Sequence, residues 1–329
     1  MSTKEKVVVT GFQPSGRLHI GNYLGMFKQA VAMQKEKGLK RYYFIADYHS
    51  LTQKYEPKQK SREIMEMAID ALALGIDPKK STLFIQSHVP HHTNLAWIFN
   101  TLTPVGELER MVSYKEKVSQ GQIANAGLLT YPILMAADIL IYDADFVPVG
   151  EDQIQHLELT RAIARKFNQR FGKTFKEPQA LLTKTPRVMS LNDPSNKMSK
   201  SIPSGCLFIF DSEAETTKKI MAAQTDSHKT IGFDPKNRPA VSNLVLIFAA
   251  FRGVSEKEIV KEFKNVGYKE FKAALAKEIN SSLKPLRTRK KELMKEKSKI
   301  TKLLEQNAKK MDRVASKKIE AVKSKVGLI

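Results

Sequence analysis

The strongest constraint on the fold is the order of secondary structure in the first 47 residues. Residues 6–10 form a run of valines typical of a buried strand, and residues 11–16 form a glycine and proline turn. Apolar side chains then recur every three or four positions over residues 20–37, which predicts a helix that ends at Gly38. Residues 41–47 predict a second strand. This βαβ unit indicates a parallel sheet whose ligand site lies beyond the carboxyl ends of its strands.

The alternation of helices and strands continues along the chain. Helices are predicted at residues 57–74, 93–141 and 151–171, and strands at residues 82–86 and 146–149. A polar stretch with prolines, residues 183–205, predicts a mobile loop, and only helices are predicted beyond it, at residues 212–225, 242–251, 255–264, 268–283 and 286–326. We therefore expect an α/β fold with a Rossmann-like, parallel-sheet nucleotide-binding domain and a helical C-terminal domain. The expected bounds are 1–192 with a helical insertion at about 81–120, then a loop at 193–205, and 206–329.

Composition indicates a folded protein of a reducing compartment. The 329 residues are 42% hydrophobic and 27% charged, enough for about two domains with a sizeable core. Cys206 is the only cysteine, so no intrachain disulfide can form and a cytoplasmic location is expected. The longest apolar stretch, residues 128–142, is too short for a membrane span, and the N-terminus lacks a signal-peptide pattern.

An excess of positive charge indicates a polyanionic partner. Lysine and arginine number 55 against 34 acidic residues, a formal net charge of +21. Residues 284–325 alone hold 16 basic and 5 acidic side chains. Such a concentration attracts phosphate backbones through counterion release. The same lysines would also suit a solvated helix face, and charge alone does not separate the two interpretations.

The first loop, residues 11–22 with the sequence GFQPSGRLHIGN, is the expected ligand site. Its glycines have Walker A spacing, but Arg17 and Leu18 stand where a lysine and a hydroxyl residue are needed. The dinucleotide pattern G-x-G-x-x-G does not occur in the loop. What fits is a glycine turn followed by HIGN, residues 19–22, at the start of a helix. There Gly21 lets a nucleotide approach the backbone, and the helix N-terminus attracts phosphate.

Two short motifs together indicate a triphosphate site. In HIGN, His19 and Asn22 can donate to phosphates, although His19 alone would more often be a turn or core histidine. The second motif, KMSKS at residues 197–201, lies in the predicted loop between the domains. Its two lysines and two serines can close over a triphosphate and stabilise charge on a departing pyrophosphate. A solvated basic loop is the alternative explanation.

These two motifs, about 180 residues apart, resemble the HIGH and KMSKS signatures of class I aminoacyl-tRNA synthetases. Four further segments look like the tryptophanyl branch: GELERM at residues 106–111, YKEK at 114–117, LLTYPILMAADIL at 128–140 and VPVGEDQIQH at 147–156. The likeness covers nearly the whole length, so the chain is identified as a member of the bacterial-type tryptophanyl-tRNA synthetases. The sequence departs from HIGH at Asn22, a departure familiar in that branch.

The resemblance implies roles for individual residues. The matching ATP-binding positions are Gln13, Pro14, Ser15, Gly21, Asn22, Gly150, Glu151, Asp152, Val188, Lys197, Met198, Ser199, Lys200 and Ser201. The positions that would act in catalysis are His19, Asn22, Lys117, Lys197 and Lys200. In these sets Asp152 would accept from the ribose hydroxyls, and Val188 and Met198 would flank the adenine. Lys117 would reach the phosphates, although a solvated helix lysine is an equal alternative.

Asp138 can also be argued from its surroundings. A carboxylate within the segment LMAADILIY is costly to bury unpaired, so a basic partner or a ligand donor must satisfy it. An indole N–H would be such a donor, and the family resemblance implies that Asp138 reads this group while Met135 packs on the ring. Tyr131 and Gln153 would face the substrate ammonium. A salt-bridged or helix-terminal aspartate is the alternative.

The resemblance also implies substrates and partners. ATP would be a substrate that carries Mg²⁺ on its phosphates, and tRNA(Trp), not DNA, would bind the basic helices. No resident metal is expected, because no cysteine or close carboxylate completes a ligand set with His88, His91 and His92. Family members are homodimers, and residues 81–117 are the candidate interface, with Trp97 in the core or in that interface.

The implied reaction has two steps. The tryptophan carboxylate would attack the α-phosphate of ATP to give tryptophanyl-adenylate and pyrophosphate, and a ribose hydroxyl of tRNA would then take the aminoacyl group. Two other functions stay open. A tyrosine-specific synthetase would share the fold and both signatures, although the GEDQ and AADIL contexts favour tryptophan. A catalytically silent RNA-binding relative would use the basic face alone, and the intact HIGN and KMSKS argue against it.

Overall fold

A five-stranded parallel sheet lies at the centre of the computed structural model, which describes residues 5–182 and 187–329. Its strands are β1 (Lys6–Phe12), β2 (Leu39–Ile45), β3 (Thr82–Ile85), β4 (Phe146–Val149) and β5 (Gln179–Leu182). They lie in the order β3-β2-β1-β4-β5, which is the Rossmann-like order and reverses between β1 and β4. The expected α/β fold is confirmed. Residues 183–186, the start of the predicted loop, lie outside the described residues.

Helices surround the sheet and form the C-terminal region. Up to β5 they are α1 (Ile20–Asn22), α2 (Lys28–Met33), α3 (Asp47–Ser50), α4 (Pro57–Ala73), α5 (His91–Asn100), α6 (Val105–Glu109), α7 (Val112–Ser119), α8 (Ala126–Leu140) and α9 (Ile154–Phe171). After β5 they are α10 (Glu213–Ala222), α11 (Pro239–Arg252), α12 (Glu256–Glu262), α13 (Tyr268–Lys295) and α14 (Lys297–Lys325). None of these helices has the length and apolar character needed to cross a bilayer.

The sheet brings the predicted site loops to one edge. Strand β1 pairs with β2 in register from Lys6 opposite Leu39 to Phe12 opposite Ile45, and β4 pairs with its other side at Val8. The carboxyl ends of β1, β2 and β4 therefore face the same way. The first loop, α3 and the segment after β4 all begin at that edge, at the topological switch point where α/β sheets bind ligands.

The helix predicted over residues 20–37 is interrupted. A π-helical turn, Tyr23–Phe27, separates α1 from α2, and the N–H of Lys28 donates to the carbonyl of Tyr23. Such turns widen a helix by one residue and are found mostly at functional sites. The helical stretches predicted over residues 93–141 are four helices, α5 to α8, with Pro104 and the positive φ of Gly121 between them.

The predicted helix boundary between residues 283 and 286 is wrong. Helix α13 continues through Pro285 to Lys295, and the break falls at Glu296, where α14 follows at once. Proline removes one N–H and frees the carbonyl four residues earlier, at Ser281. Ser281 is exposed, so water can solvate that carbonyl and the helix tolerates the proline.

The two faces of the sheet carry two apolar cores. One core packs α4 and the helices α10 to α13 with the first loop, and the other packs α5, α8, α9 and α14. The apolar face of α14 is buried at Ile300, Leu304, Met311 and Ile319. The Asn307 side chain donates from Nδ2 to the carbonyl of Leu83 in β3 at 2.8 Å. The last helix therefore packs on the sheet, although it follows the predicted boundary at residue 206.

Candidate active site

A cavity of about 850 Å³ opens at the carboxyl edge of the sheet. Eleven of the sequence-predicted residues line it: Gln13, Gly21, Asn22, Lys117, Tyr131, Met135, Asp138, Gly150, Asp152, Gln153 and Lys197. The other predicted residues, Pro14, Ser15, His19, Glu151, Val188, Met198, Ser199, Lys200 and Ser201, are outside its lining. A cavity of this size suits two small substrates side by side.

The HIGN segment forms a capping box at the start of α1. The Nδ1 atom of His19 accepts from the N–H of Gly21 at 3.1 Å, and the Oδ1 atom of Asn22 accepts from the N–H of His19 at 3.1 Å. A Cβ on Gly21 would lie 2.9 Å from the His19 ring, so this position needs glycine. Burial, together with Lys200 and Lys197, lowers the pKa of His19 to about 4. His19 is therefore neutral at pH 7 and can offer an N–H donor but no charge.

The KMSKS segment is closed over the first loop. The Lys200 ammonium donates to the carbonyl of Ser15 at 3.0 Å and to its hydroxyl at 2.9 Å. Burial lowers the pKa of Lys200. At the preceding residue of the same loop, Lys60 of α4 donates to the carbonyl of Pro14 at 3.2 Å. Two lysines thus hold consecutive carbonyls of the glycine turn.

The rest of the motif is divided between buried and exposed side chains. Met198 and Val188 are buried, and the N–H of Met198 donates to the carbonyl of Val188 at 3.1 Å. A Cβ on Gly21 would lie 4.0 Å from Val188, so this pair borders the HIGN turn. Ser199 and Ser201 are exposed.

The GEDQ segment turns sharply after β4. Glu151–Gln153 forms a single 3-10 turn, and the side chain of Gln153 donates from Nε2 to Asp152 at 2.8 Å. A Cβ on Gly150 would lie 2.6 Å from the Oδ1 atom of Asp152, so a larger residue there would displace the Asp152 side chain. Asp152 and Gln153 line the cavity, whereas Glu151 is exposed outside it.

Asp138 on α8 is buried, and both of its carboxylate oxygens accept hydrogen bonds. Its Oδ2 accepts from His49 Nε2 at 2.7 Å, and its Oδ1 accepts from His92 Nδ1 at 2.6 Å and from Gln86 Nε2 at 2.7 Å. Burial would raise the pKa of Asp138, but the hydrogen bonds and charges of the two histidines hold it below its usual value. The carboxylate is thus ionised and has basic partners. The sequence analysis had left two ways to satisfy a buried Asp138, a basic partner or a ligand donor, and the structure shows the first.

His49 and Gln86 were missed by the sequence analysis. Gln86 directly follows β3, and His49 lies in α3, which follows β2. The rule that ligand sites form at the carboxyl ends of parallel strands could have identified both. His92 was discounted as a metal ligand, and the structure pairs it with Asp138 while His91 faces Asp312 at 3.4 Å. Within the described residues no group of three or more potential ligands could hold a metal ion.

A second polar cluster surrounds Tyr131. Its hydroxyl donates to Ser113 at 2.7 Å and lies 2.8 Å from Nε2 of His156. The Lys117 ammonium lies 4.1 Å from the centre of the Tyr131 ring, and burial lowers its pKa. Burial also lowers the pKa of His156 to about 4. Helix α7, which carries Ser113 and Lys117, is thereby joined to the cavity wall.

The candidate interface at residues 81–117 contains both core and surface side chains. Phe99 is fully buried, whereas Trp97 is 71% exposed, and Val105 and Val112 are also exposed. Exposed large apolar side chains such as these are typical of a protein contact surface.

Comparisons with known proteins agree on one family. A family model described as tRNA synthetases class I (W and Y) matches residues 1–284. A tryptophan–tRNA ligase of Halalkalibacterium halodurans is 44% identical over 327 residues, with 98% of each chain covered. The crystal structure of tryptophanyl-tRNA synthetase from Campylobacter jejuni, complexed with ADP and tryptophan, has a TM-score of 0.85 and 38% identity, with 98% of this chain and 100% of that chain covered. The crystal structure of tryptophanyl-tRNA synthetase from Mycoplasma pneumoniae has a TM-score of 0.86 and 32% identity, with 99% of this chain and 98% of that chain covered.

Proposed function

This chain belongs to the class I tRNA synthetases for tryptophan and tyrosine and acts as a tryptophan–tRNA ligase, and we propose how its residues divide that reaction. The observation that carries the assignment is a single cavity joining Asp138, an ionised acceptor for the indole N–H, to the HIGN turn and Lys197. Tryptophan and ATP would therefore meet in one enclosure. We therefore do not propose the two alternatives that the sequence left open, a tyrosine-specific synthetase and a catalytically silent RNA binder.

The amino-acid side of the cavity would hold tryptophan. Asp138 accepts from the indole N–H and Met135 packs on the ring. The hydroxyl of Tyr131 and the side chain of Gln153 face the ammonium. An amino acid that lacks the N–H leaves an acceptor of Asp138 without a ligand donor. A smaller amino acid leaves part of the pocket unfilled. The pocket therefore selects tryptophan both by hydrogen bonding and by size.

The other side of the cavity would hold ATP. Gly21 and Gly150 admit the nucleotide to the backbone, and Asp152 accepts from the ribose. The further residues proposed for this site are Gln13, Pro14, Ser15, Asn22, Glu151, Val188, Met198, Ser199 and Ser201. ATP brings Mg²⁺ on its phosphates, and charge stabilisation by that ion adds to that of the lysines.

Adenylate formation needs no general base. The tryptophan carboxylate is already ionised at pH 7, and one of its oxygens forms a bond to the α-phosphorus as the bond to pyrophosphate breaks. The protein positions the two groups and offsets developing charge. Lys197, Lys200 and Lys117 supply positive charge, and neutral His19 and Asn22 lie at the helix terminus facing the phosphates.

Transfer of the aminoacyl group requires tRNA. We assign tRNA binding to residues 206–329, since the basic side chains concentrate there. Residues 1–192 would carry out catalysis and residues 193–205 would move over ATP. A homodimer through the surface around Trp97 and a cytoplasmic location complete the proposal.

The test is amino-acid-dependent exchange of labelled pyrophosphate into ATP without tRNA. Tryptophan should support exchange, and tyrosine or no amino acid should not. Exchange with tyrosine would move the chain to the tyrosine enzymes, and no exchange with any amino acid would favour an RNA binder.

A further inference from the structure

Behind the cavity wall, a buried chain of hydrogen bonds leads to Asp138. The ring of His92 is fully buried, with Nδ1 2.6 Å from Oδ1 of Asp138 and Nε2 2.7 Å from the hydroxyl of Tyr142. Asp138 lines the cavity, but His92 and Tyr142 do not. The chain Tyr142–His92–Asp138 is therefore shielded from substrate and can act only through the carboxylate.

The ionised carboxylate fixes the proton at its own end of the chain. An ionised carboxylate only accepts, so Nδ1 of His92 must carry the hydrogen that it shares with Asp138. The Nε2 atom lies 2.7 Å from the hydroxyl of Tyr142, which carries the outer proton of the chain. Burial and the nearby charge of Asp138 raise the pKa of Tyr142 well above its usual value, so this proton is retained. Edge-on contacts with Phe84 and Tyr42 hold the Tyr142 ring.

This arrangement makes the two oxygens of Asp138 unequal. Oδ1 accepts from both His92 and Gln86, which uses its two lone pairs. Among residues 5–182 and 187–329, Oδ2 accepts only from His49, and His49 itself lines the cavity. The capacity to accept a further donor therefore remains on Oδ2, on the side that a substrate can reach.

We propose that His92, held by Tyr142, is a positioning residue that keeps Oδ2 of Asp138 turned to the cavity and so determines selection for an indole N–H. The inference rests on the proposed role of Asp138. Without His92, Oδ1 keeps only the Gln86 donor, and the carboxyl group is held less firmly against rotation about its Cβ–Cγ bond. A buried carboxylate with fewer donors also has a higher pKa, and a protonated carboxyl oxygen no longer accepts.

The experiment compares two amino acids that differ in one group. Tryptophan and 3-benzothienylalanine have similar shapes, but the second has sulfur where the first has N–H. The ratio of their kcat/KM values in pyrophosphate exchange measures selection for the N–H. In His92→Leu this ratio should fall about 10- to 100-fold, as for loss of a charge-assisted hydrogen bond. In His92→Asn, whose side-chain N–H can replace Nδ1, much of the ratio should return.

Matched variants keep the result interpretable. His91→Asn changes the neighbouring histidine, which faces Asp312 instead of Asp138, and should leave the ratio unchanged. Tyr142→Phe removes only the outer hydroxyl and should lower the ratio about 2- to 5-fold. If His92→Leu does not fold, as judged by circular dichroism, the Tyr142→Phe and His92→Asn values decide the question.

Two results would overturn the proposal, and they differ in meaning. Equal losses of kcat/KM for both amino acids in the His92 and Tyr142 variants would show a merely structural role. A wild-type ratio near one would show that Asp138 does not read the N–H, and the proposed role of Asp138 would fail along with that of His92.

Discussion

The Lys200 ammonium is hydrogen-bonded to protein atoms in the first loop, where the proposed site places the phosphates of ATP. Its ammonium donates to the carbonyl and the hydroxyl of Ser15, a residue of the first loop. When ATP arrives, a phosphate oxygen can replace these neutral acceptors, and a charged acceptor makes the stronger bond. In the role proposed for Lys200, the lysine would be held near the phosphates before ATP binds, which would reduce the cost of ordering it.

Replacing this lysine should separate the rate from binding. In Lys200→Ala, the maximal rate of pyrophosphate exchange should fall about 100-fold, because charge develops on the departing pyrophosphate, and Lys197→Ala should behave alike. The dissociation constant of tryptophan, measured by fluorescence or calorimetry, should stay within about 2-fold. Lys218→Ala, an exposed lysine of α10, is the control. Equal losses of tryptophan affinity and rate would contradict the role.

At this scale, the sequence identified residue types better than it identified their partners. Asp138 was expected because a carboxylate in an apolar helix needs a donor, and it is buried in the cavity wall. Its partners His49 and Gln86 follow two different strands, β2 and β3, and no local pattern links positions 49, 86 and 138. The neutrality of His19 likewise follows from burial and from Lys200, which is distant in sequence.

At the scale of elements, strong local patterns were sufficient and weak ones were not. Strands β1 to β4 were expected from apolar runs rich in branched and aromatic residues. Strand β5, with the sequence QALL, was missed because it is short, lies at the edge of the sheet and lacks β-branched residues. The break at Glu296 was placed eleven residues too early, since Pro285 looks like a boundary in sequence and is tolerated at an exposed site.

Helix α14 offers a test of how the C-terminal region is joined to the sheet. Ile319 is buried in the core that also holds Phe99 and Phe167, so Ile319→Ala leaves a cavity there. The free energy of unfolding should fall by about 2–4 kcal/mol, measured by urea denaturation. Lys317→Ala, exposed on the same helix, should change it by less than about 0.5 kcal/mol. A loss below about 1 kcal/mol at Ile319 would show that α14 is detachable from the sheet.

For the whole molecule, burial of charged groups couples stability to pH in two opposite directions. The pKa values of His19 and His156 are lowered to about 4, mainly by burial. Between pH 4 and about 6.5 the unfolded chain therefore binds protons that the folded chain does not, and stability falls as the pH falls. Burial raises the pKa of Asp70 to about 6 despite its ion pair with Lys290. Between the ordinary pKa of an aspartate and about 6, the folded chain therefore binds a proton at Asp70 that the unfolded chain does not. Asp70 thus makes the folded state more stable as the pH falls, opposite to the two histidines.

The two histidines outweigh the single carboxyl group, so the protein should be less stable at pH 5 than at pH 7 by on the order of 2 kcal/mol. Urea denaturation at the two pH values measures this difference.

His156→Gln should reduce the difference, because one proton-binding group of the unfolded chain is removed. Asp70→Asn should increase it, because the opposing group is removed. His88→Gln, at an exposed histidine, should leave it unchanged. A smaller difference in Asp70→Asn than in the wild type would show that the buried carboxyl is ionised over this range and that its ion pair with Lys290 outweighs its burial.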